Sequence, residues 1–317
     1  MDLTEPQMQR IRDLSDRILD PWVKRHTQLP DVLYHYTSAD GLIGILTSRS
    51  IWLTDLRYMN DLSEMQYSRE LLGMRLAERL KQPALSETQR DFLTRVSSNV
   101  GPFYRVFSAS FCEEGNLLSQ WRAYRGKGGG YAIGFDFFHV LRLLNRPCVL
   151  RKVVYDENEQ VRLFDSVIHE FLAVVQHEVD TNPNREAIAS FLPELCQAFK
   201  SVIAEFLSSV KHPDFREEQE WRLVHFASSI PELSDGDAPS FRSYDGNVIP
   251  YFSVDFGRAV ALSLDDTYCH PFPIVDLMIG PTISADLNQA SIKLLLLSLN
   301  PEHSPSIRSS GIPLRWL

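Results

Sequence analysis

The stretch "REEQEWRLVHF", residues 216–226, sets two glutamates and an arginine at alternate positions. If residues 219–225 are extended, Glu218, Glu220 and Arg222 share one face of a strand, and Trp221 and Leu223 take the other. Two readings stand side by side. The charges pair with one another on a solvated strand edge, which contributes about 0–1 kcal/mol, or a carboxylate is placed where a cation develops during a reaction. A second candidate lies in "DVLYHYTSAD", residues 31–40, where His35 alternates with Tyr34 and Tyr36 and shares a face with Leu33 and Thr37. On its own, such a histidine reads as a hydrogen-bonded core residue. In "LLSQWRAY", Trp121 and Tyr124 stand three apart, a helical spacing that serves core packing or stacking on a ligand ring. In "LRYMNDLSEM", Asn60, Asp61 and Glu64 fall at a helix start, where capping accounts for at least one of them.

Other chemistries find less support. No histidines pair as HxxxH or HExxH and no cysteine lies near them in sequence, so no metal is expected. "GKGGG", residues 126–130, lacks the spacing and the following Ser or Thr of a phosphate-binding loop and reads as a tight turn. A GxSxG nucleophile elbow is missing. The formal net charge of -9 offers no general attraction to nucleic acid; Arg122, Arg125 and Lys127 form the one basic cluster. Cys112, Cys148, Cys196 and Cys269 are far apart with no CxxC pair, which with the lack of a signal-like start points to the cytoplasm. The longest strongly apolar stretch, residues 292–299, is far short of the roughly 20 residues that span a bilayer, so no membrane partner is expected.

These residues need elements to position them. "VLYHYT", "SIWLTD", "YRVFSASFC", "YAIGFDF", "CVLRKVVYD", "EEQEWRLVHFA", "NVIPYFSVDF", "PIVDLMIGP" and a short piece near "PSIRSS" read as strands. Met8, Ile11, Leu14 and Ile18 make an amphipathic stripe at the start, and Thr4 and Gln7 have the spacing of a capping box. Residues 62–99 read as helical, broken at "KQPALSET", where Ser86 and Gln89 can cap a second helix. Two long apolar helical stripes follow, one on Phe164, Ile168, Phe171, Leu172 and Val175, the other on Ile188, Phe191, Leu195, Phe199, Val202 and Phe206. Together they predict a single α+β domain over 1–317, with an N-terminal helical extension at 1–28 and helical insertions at 62–100 and 157–212. The second insertion is a candidate surface for a protein partner or a homo-oligomer.

The ordered set "YHYTS", "IWLTD", "MNDLSE", "FSASF", "SQWRAY", "YAIGFD" and "EEQEWRL" resembles the bacterial domain-of-unknown-function 2971 family over roughly residues 31–226. That family in turn looks similar to the ADP-ribosyltransferase superfamily. The second likeness implies a mixed, largely antiparallel β core of the ADP-ribosyltransferase type with inserted and flanking helices. It also implies NAD as substrate and cleavage of the nicotinamide–ribose bond, with transfer to a protein, a nucleic acid or water. By the same likeness His35, with Tyr36 and Thr37 beside it, holds a ribose, and Trp121 or Tyr124 stacks on nicotinamide. Glu220 stabilises the oxocarbenium-like cation, Glu218 is the candidate general base, and Asn60 and Arg222 line the cofactor site. His35, Tyr124 and Glu220 should then share one cleft. By analogy the role would be that of a toxin or an antiphage defence effector. The rival expectation is a non-catalytic nucleotide- or protein-binding module.

Overall fold

In a computed structural model the chain is described over residues 5–24, 29–58, 62–98, 104–124, 129–142, 148–182, 184–228, 238–244, 246–256, 273–282, 284–299 and 304–313. In chain order the elements are α1 (Glu5–Lys24), β1 (Val32–Thr37), α2 (Ala39–Ser48), β2 (Ser50–Asp55), α3 (Leu62–Leu80), α4 (Glu87–Ser97) and β3 (Tyr104–Cys112). Next come α5 (Leu118–Tyr124), β4 (Tyr131–Asp136), α6 (Phe137–Arg142), β5 (Cys148–Lys152), α7 (Glu157–Thr181) and α8 (Arg185–Leu207). The remainder is β6 (Glu220–Ser228), β7 (Ser240–Tyr244), β8 (Asn247–Asp255), β9 (Ile274–Ile279), α9 (Ala285–Leu299) and β10 (Ser306–Ser309). The class is α+β, with a sheet that is antiparallel except where β10 runs parallel to β9.

The sheet forks at β3. One edge of this strand pairs with β6 along its whole length, from Tyr104 opposite Ser228 to Cys112 opposite Glu220, and β5 follows beyond β6. The other edge is shared: Cys112 faces Tyr34 of β1, while Phe107 and Ser108 face Asp55 and Thr54 of β2. From β1 the sheet runs on through β4, β9 and β10, and from β2 through β8 and β7.

Because paired residues point to the same side of a sheet, the register sorts the side chains into two faces. One carries Leu33, Phe111, Ile133, Phe135 and Leu223, covered by Leu42, Ile45 and Leu46 of α2, Phe137 and Val140 of α6, and Ile292 and Leu296 of α9. The other carries Tyr36, Cys112, Ala132 and Met278 beneath Trp121 of α5, and farther along Val106 and Val224. Helices α1, α3, α4, α7 and α8 pack around a second core of Phe92, Phe164, Phe171, Phe191, Phe199 and their neighbours. Both insertions expected from sequence therefore join the N-terminal helix in one helical body. Gln160 ties it to the sheet region: wholly buried, it donates to the carbonyls of Val154 and Lys211, both at 2.8 Å, and accepts from Tyr67 at 2.7 Å.

Several details differ from the sequence reading. Met8 is exposed, and the α1 stripe runs through Gln7, Leu14 and Ile18; Gln7 and Arg10 both reach the buried Glu178 of α7, at 2.7 and 3.0 Å. The apolar stripes of α7 and α8, the reason for expecting a partner surface there, are largely buried against each other and against α1, α3 and α4. By length and composition Glu186–Leu207 would suffice to cross a membrane, yet its Phe191, Leu195, Phe199, Val202 and Phe206 belong to the helical core. Thr4, Asn60, Asp61, Arg125, Lys127 and Cys269 lie outside the described residues, as does the side chain of Glu64. The Ser86–Gln89 capping box is present in both directions.

Phe171 lies parallel to Phe92 and edge-on to Phe199, with centroids 6.1 and 5.1 Å away. Phe171→Ala leaves a cavity at the centre of the helical body and should lower stability by about 3–5 kcal/mol, read from the urea midpoint. A loss below about 1 kcal/mol would contradict this packing.

Candidate functional site

Glu220 opens β6, and the bend that delivers it is unusual. A 3-10 turn over Pro213–Glu218 ends at Gln219, which is held in the left-handed region at φ 43°. The strand thus begins one residue later than a continuous extension would allow. Glu218 therefore belongs to the turn and not to a strand face shared with Glu220, which corrects the alternation read from the sequence. Both glutamates nevertheless meet at Lys211, whose ammonium donates to Glu218 at 2.6 Å and to Glu220 at 3.3 Å.

The charges do not line a solvated edge. Glu220 and Arg222 are each only 3% exposed and Lys211 6%. Arg222 grips Glu220 through two hydrogen bonds, Nε to Oε1 at 2.7 Å and Nη2 to Oε2 at 2.9 Å, and its Nη1 donates to the Ser208 carbonyl at 2.9 Å. Burial by itself would raise the Glu220 pKa. The charges of Arg222 and Lys211, with hydrogen bonds from Arg222 and the Ser110 hydroxyl, outweigh it and hold the carboxyl well below the usual carboxylate range, at about 2. The backbone N–H of Glu220 donates to the Tyr155 hydroxyl at 3.1 Å, and its carbonyl accepts from Val153 at 2.9 Å.

Over this network lies α5. Leu117, Gln120, Trp121 and Tyr124 follow the i, i+3, i+4, i+7 spacing and form its inner stripe. Trp121 is fully buried: it meets Tyr36 edge-on at 4.7 Å, donates to Asn116 at 2.9 Å, and packs on Gly280, where a side chain would collide with Trp121 and with the Gly129 carbonyl. Gly129 and Gly130, at φ 107° and 75°, make the turn that this approach requires. Trp121 is thus a core residue and not a ligand stacker. Tyr36 is likewise structural, because its hydroxyl donates to the Glu114 carbonyl at 2.8 Å and accepts from the Leu117 N–H at 2.9 Å, anchoring the loop ahead of α5.

Tyr124 and Gln120 are different. Tyr124 is half-buried, and among the described residues no hydrogen bond is formed by its hydroxyl. Burial, then the negative charge of Glu220, raises its pKa to about 12, so it remains a neutral phenol. Gln120 is 6% exposed and its amide also finds no partner among the described residues. Cys112, directly opposite both Glu220 and Tyr34, completes the floor; burial first, then Glu220, pushes its thiol pKa well up, so it is no nucleophile at neutral pH.

His35 is not part of this group. It lies on the opposite face, against Phe111 at a centroid distance of 5.8 Å, with Thr37 beyond it above the first turn of α2. Its Nδ1 is 2.9 Å from the Ser110 carbonyl, so that nitrogen carries the hydrogen and Nε2 is the acceptor. Burial lowers its pKa and keeps the ring neutral. The expected cleft of His35, Tyr124 and Glu220 is therefore half assembled: the pleat sets Tyr124 and Glu220 together and turns His35 away. Gln120, Lys211 and Tyr155 were missed in the sequence reading. Only Gln120 carried a signal, as the polar residue in an otherwise apolar and aromatic helical stripe. Among the described residues no group of three or more His, Cys, Asp or Glu side chains could hold a metal.

Residues 120–223 match the model of the family described as "Protein of unknown function (DUF2971)". The matched segment starts at Gln120 in α5 and ends at Leu223 in β6, so it is bounded by the two elements that enclose this site. No curated protein and no solved structure matches the chain.

The folded-state pKa of Glu220 lies below the ordinary glutamate value of 4.5, so its pairing contributes stability above that value that is lost as pH falls toward about 2. Glu220→Gln leaves Arg222 and Lys211 without their shared anion and should cost about 3–5 kcal/mol at pH 7. In chemical denaturation the difference between the two proteins should shrink from pH 5 to pH 2. A constant difference would contradict the ionised pair.

Proposed function

We propose that the protein binds NAD on the sheet face beneath α5 and cleaves its nicotinamide–ribose bond, in the manner of an ADP-ribosyltransferase. The observation that carries this reading is the pairing of a half-buried Tyr124 on α5, whose hydroxyl has no hydrogen-bond partner among the described residues, with the ionised Glu220 beneath it. A neutral phenol ring can stack on nicotinamide, and stacking of this kind contributes about 1–3 kcal/mol. As the C1'–N bond breaks, its electron pair leaves with nicotinamide and positive charge develops on the ribose, where a fixed carboxylate in a water-poor site stabilises it. An acceptor hydroxyl, amine or water then attacks C1' and loses its proton to Glu218. His35 takes no direct part in this scheme.

A second reading, binding of a nucleotide without turnover, is favoured by one specific observation: both oxygens of Glu220 are already engaged by Arg222 and Lys211. The two readings separate in one experiment on the purified full chain. Turnover predicts release of nicotinamide from NAD, a loss of about 100-fold or more in Glu220→Gln, and roughly tenfold weaker NAD binding in Tyr124→Ala. NAD binding that depends on Tyr124 without any release supports the second reading. A chain that binds no NAD contradicts both.

A further inference from the structure

Thr54 of β2 and Ser108 of β3 are cross-strand partners, so their side chains stand side by side on one face of the sheet. Arg242 reaches this pair from β7: its Nη2 donates to the Thr54 hydroxyl at 3.0 Å, and its guanidinium lies 5.7 Å from the ring of Trp52, which stacks on Tyr251 at 4.3 Å. Every polar group here has hydrogens to give. Ser108 is 1% exposed and its buried hydroxyl has no hydrogen-bond partner; the buried Nε of Arg242 has none either. Thr54 accepts from Arg242, which leaves its own hydrogen to donate, and among the described residues no acceptor takes it. No carboxylate pairs with Arg242 among the described residues, and burial lowers its pKa, opposed by the phenols of Tyr251 and Tyr244.

Donors that converge on one place are costly to bury unless an acceptor is supplied. We infer that Arg242, Thr54 and Ser108 form a binding site for a phosphate group. Its three terminal oxygens and up to two charges answer all three donors, whereas a carboxylate has two oxygens and the guanidinium alone engages both. The approach is from β7, where Arg242 is partly exposed and its neighbours Phe241 and Tyr244 are open to solvent. The site stands apart from the one beneath α5. Along β3, Ser108 precedes Cys112, the partner of Glu220, by four residues, which is about 13 Å of strand. The inference is therefore independent of NAD cleavage.

The test is calorimetric titration of the full-length protein with inorganic phosphate and, at equal ionic strength, with acetate. The wild-type chain should bind phosphate saturably, with a Kd of about 1 mM or below, and acetate about tenfold or more weakly. Arg242→Gln should weaken phosphate binding about tenfold or more. Ser108→Ala should weaken it about threefold to tenfold, while the thermal midpoint without phosphate stays the same or rises, because the alanine removes a buried hydroxyl that has no partner. Phenyl phosphate serves as a third titrant: tighter binding than inorganic phosphate assigns a phosphorylated ligand, weaker binding the free anion, and either supports the site. Absence of saturable phosphate binding, with the donors met by water only, overturns the inference. Acetate that binds the wild-type chain as tightly as phosphate does so too, and that comparison needs no variant to fold. Phosphate binding that survives Arg242→Gln unchanged also overturns it.

Discussion

Glu220 and Arg222 form a doubly hydrogen-bonded ion pair inside the protein, and much of the surrounding structure is arranged around that pair. Two buried charges are tolerated only when each finds good partners. Here the partners come from separate parts of the chain: Ser208 at the end of α8, Lys211 just after it, Tyr155 ahead of α7, and Ser110 on β3. The contacts of Ser208, Lys211 and Tyr155 tie the segments beside α8 and α7 to the sheet, and Ser110 holds the pair from within it. The pair is thus a joint between two layers as well as the floor of a site, and stability and recognition at this place are hard to separate.

The fork in the sheet is the second constraint. β1 and β2 share one edge of β3, and the Ser110 carbonyl, which lies along β3 between those two contacts, accepts from the side chain of His35. That contact explains a histidine in a strand whose other residues, Thr37 apart, are apolar or aromatic. It also explains why His35 faces away from Glu220: its neighbours Tyr34 and Tyr36 take the face on which Cys112 and Glu220 lie.

Much of the local structure was legible in the sequence, because strands and helices follow periodicity. The nine residues of "YRVFSASFC" are β3, and Ser86 and Gln89 form the capping box that their spacing suggests. The site was legible in part. Tyr124 and Glu220 do come together, while Trp121 proves to be core and Glu218 leaves the strand because Gln219 turns left-handed. What could not be read was register. Which strand lies beside β3, and therefore which face His35 takes, is set by long-range pairing that no short stretch encodes. Lys211 is the clearest case, a single lysine between α8 and a 3-10 turn, whose importance exists only once β6 lies beside it.

The central claim is that a ligand enters between α5 and the Glu220–Arg222 pair. Amide hydrogen exchange of the full chain, with and without saturating NAD, tests it most directly. The account predicts slowed exchange confined to residues 117–124 and 209–224, with the helical core at 164–206 unchanged. Protection centred on another part of the chain, or none at all, would contradict it.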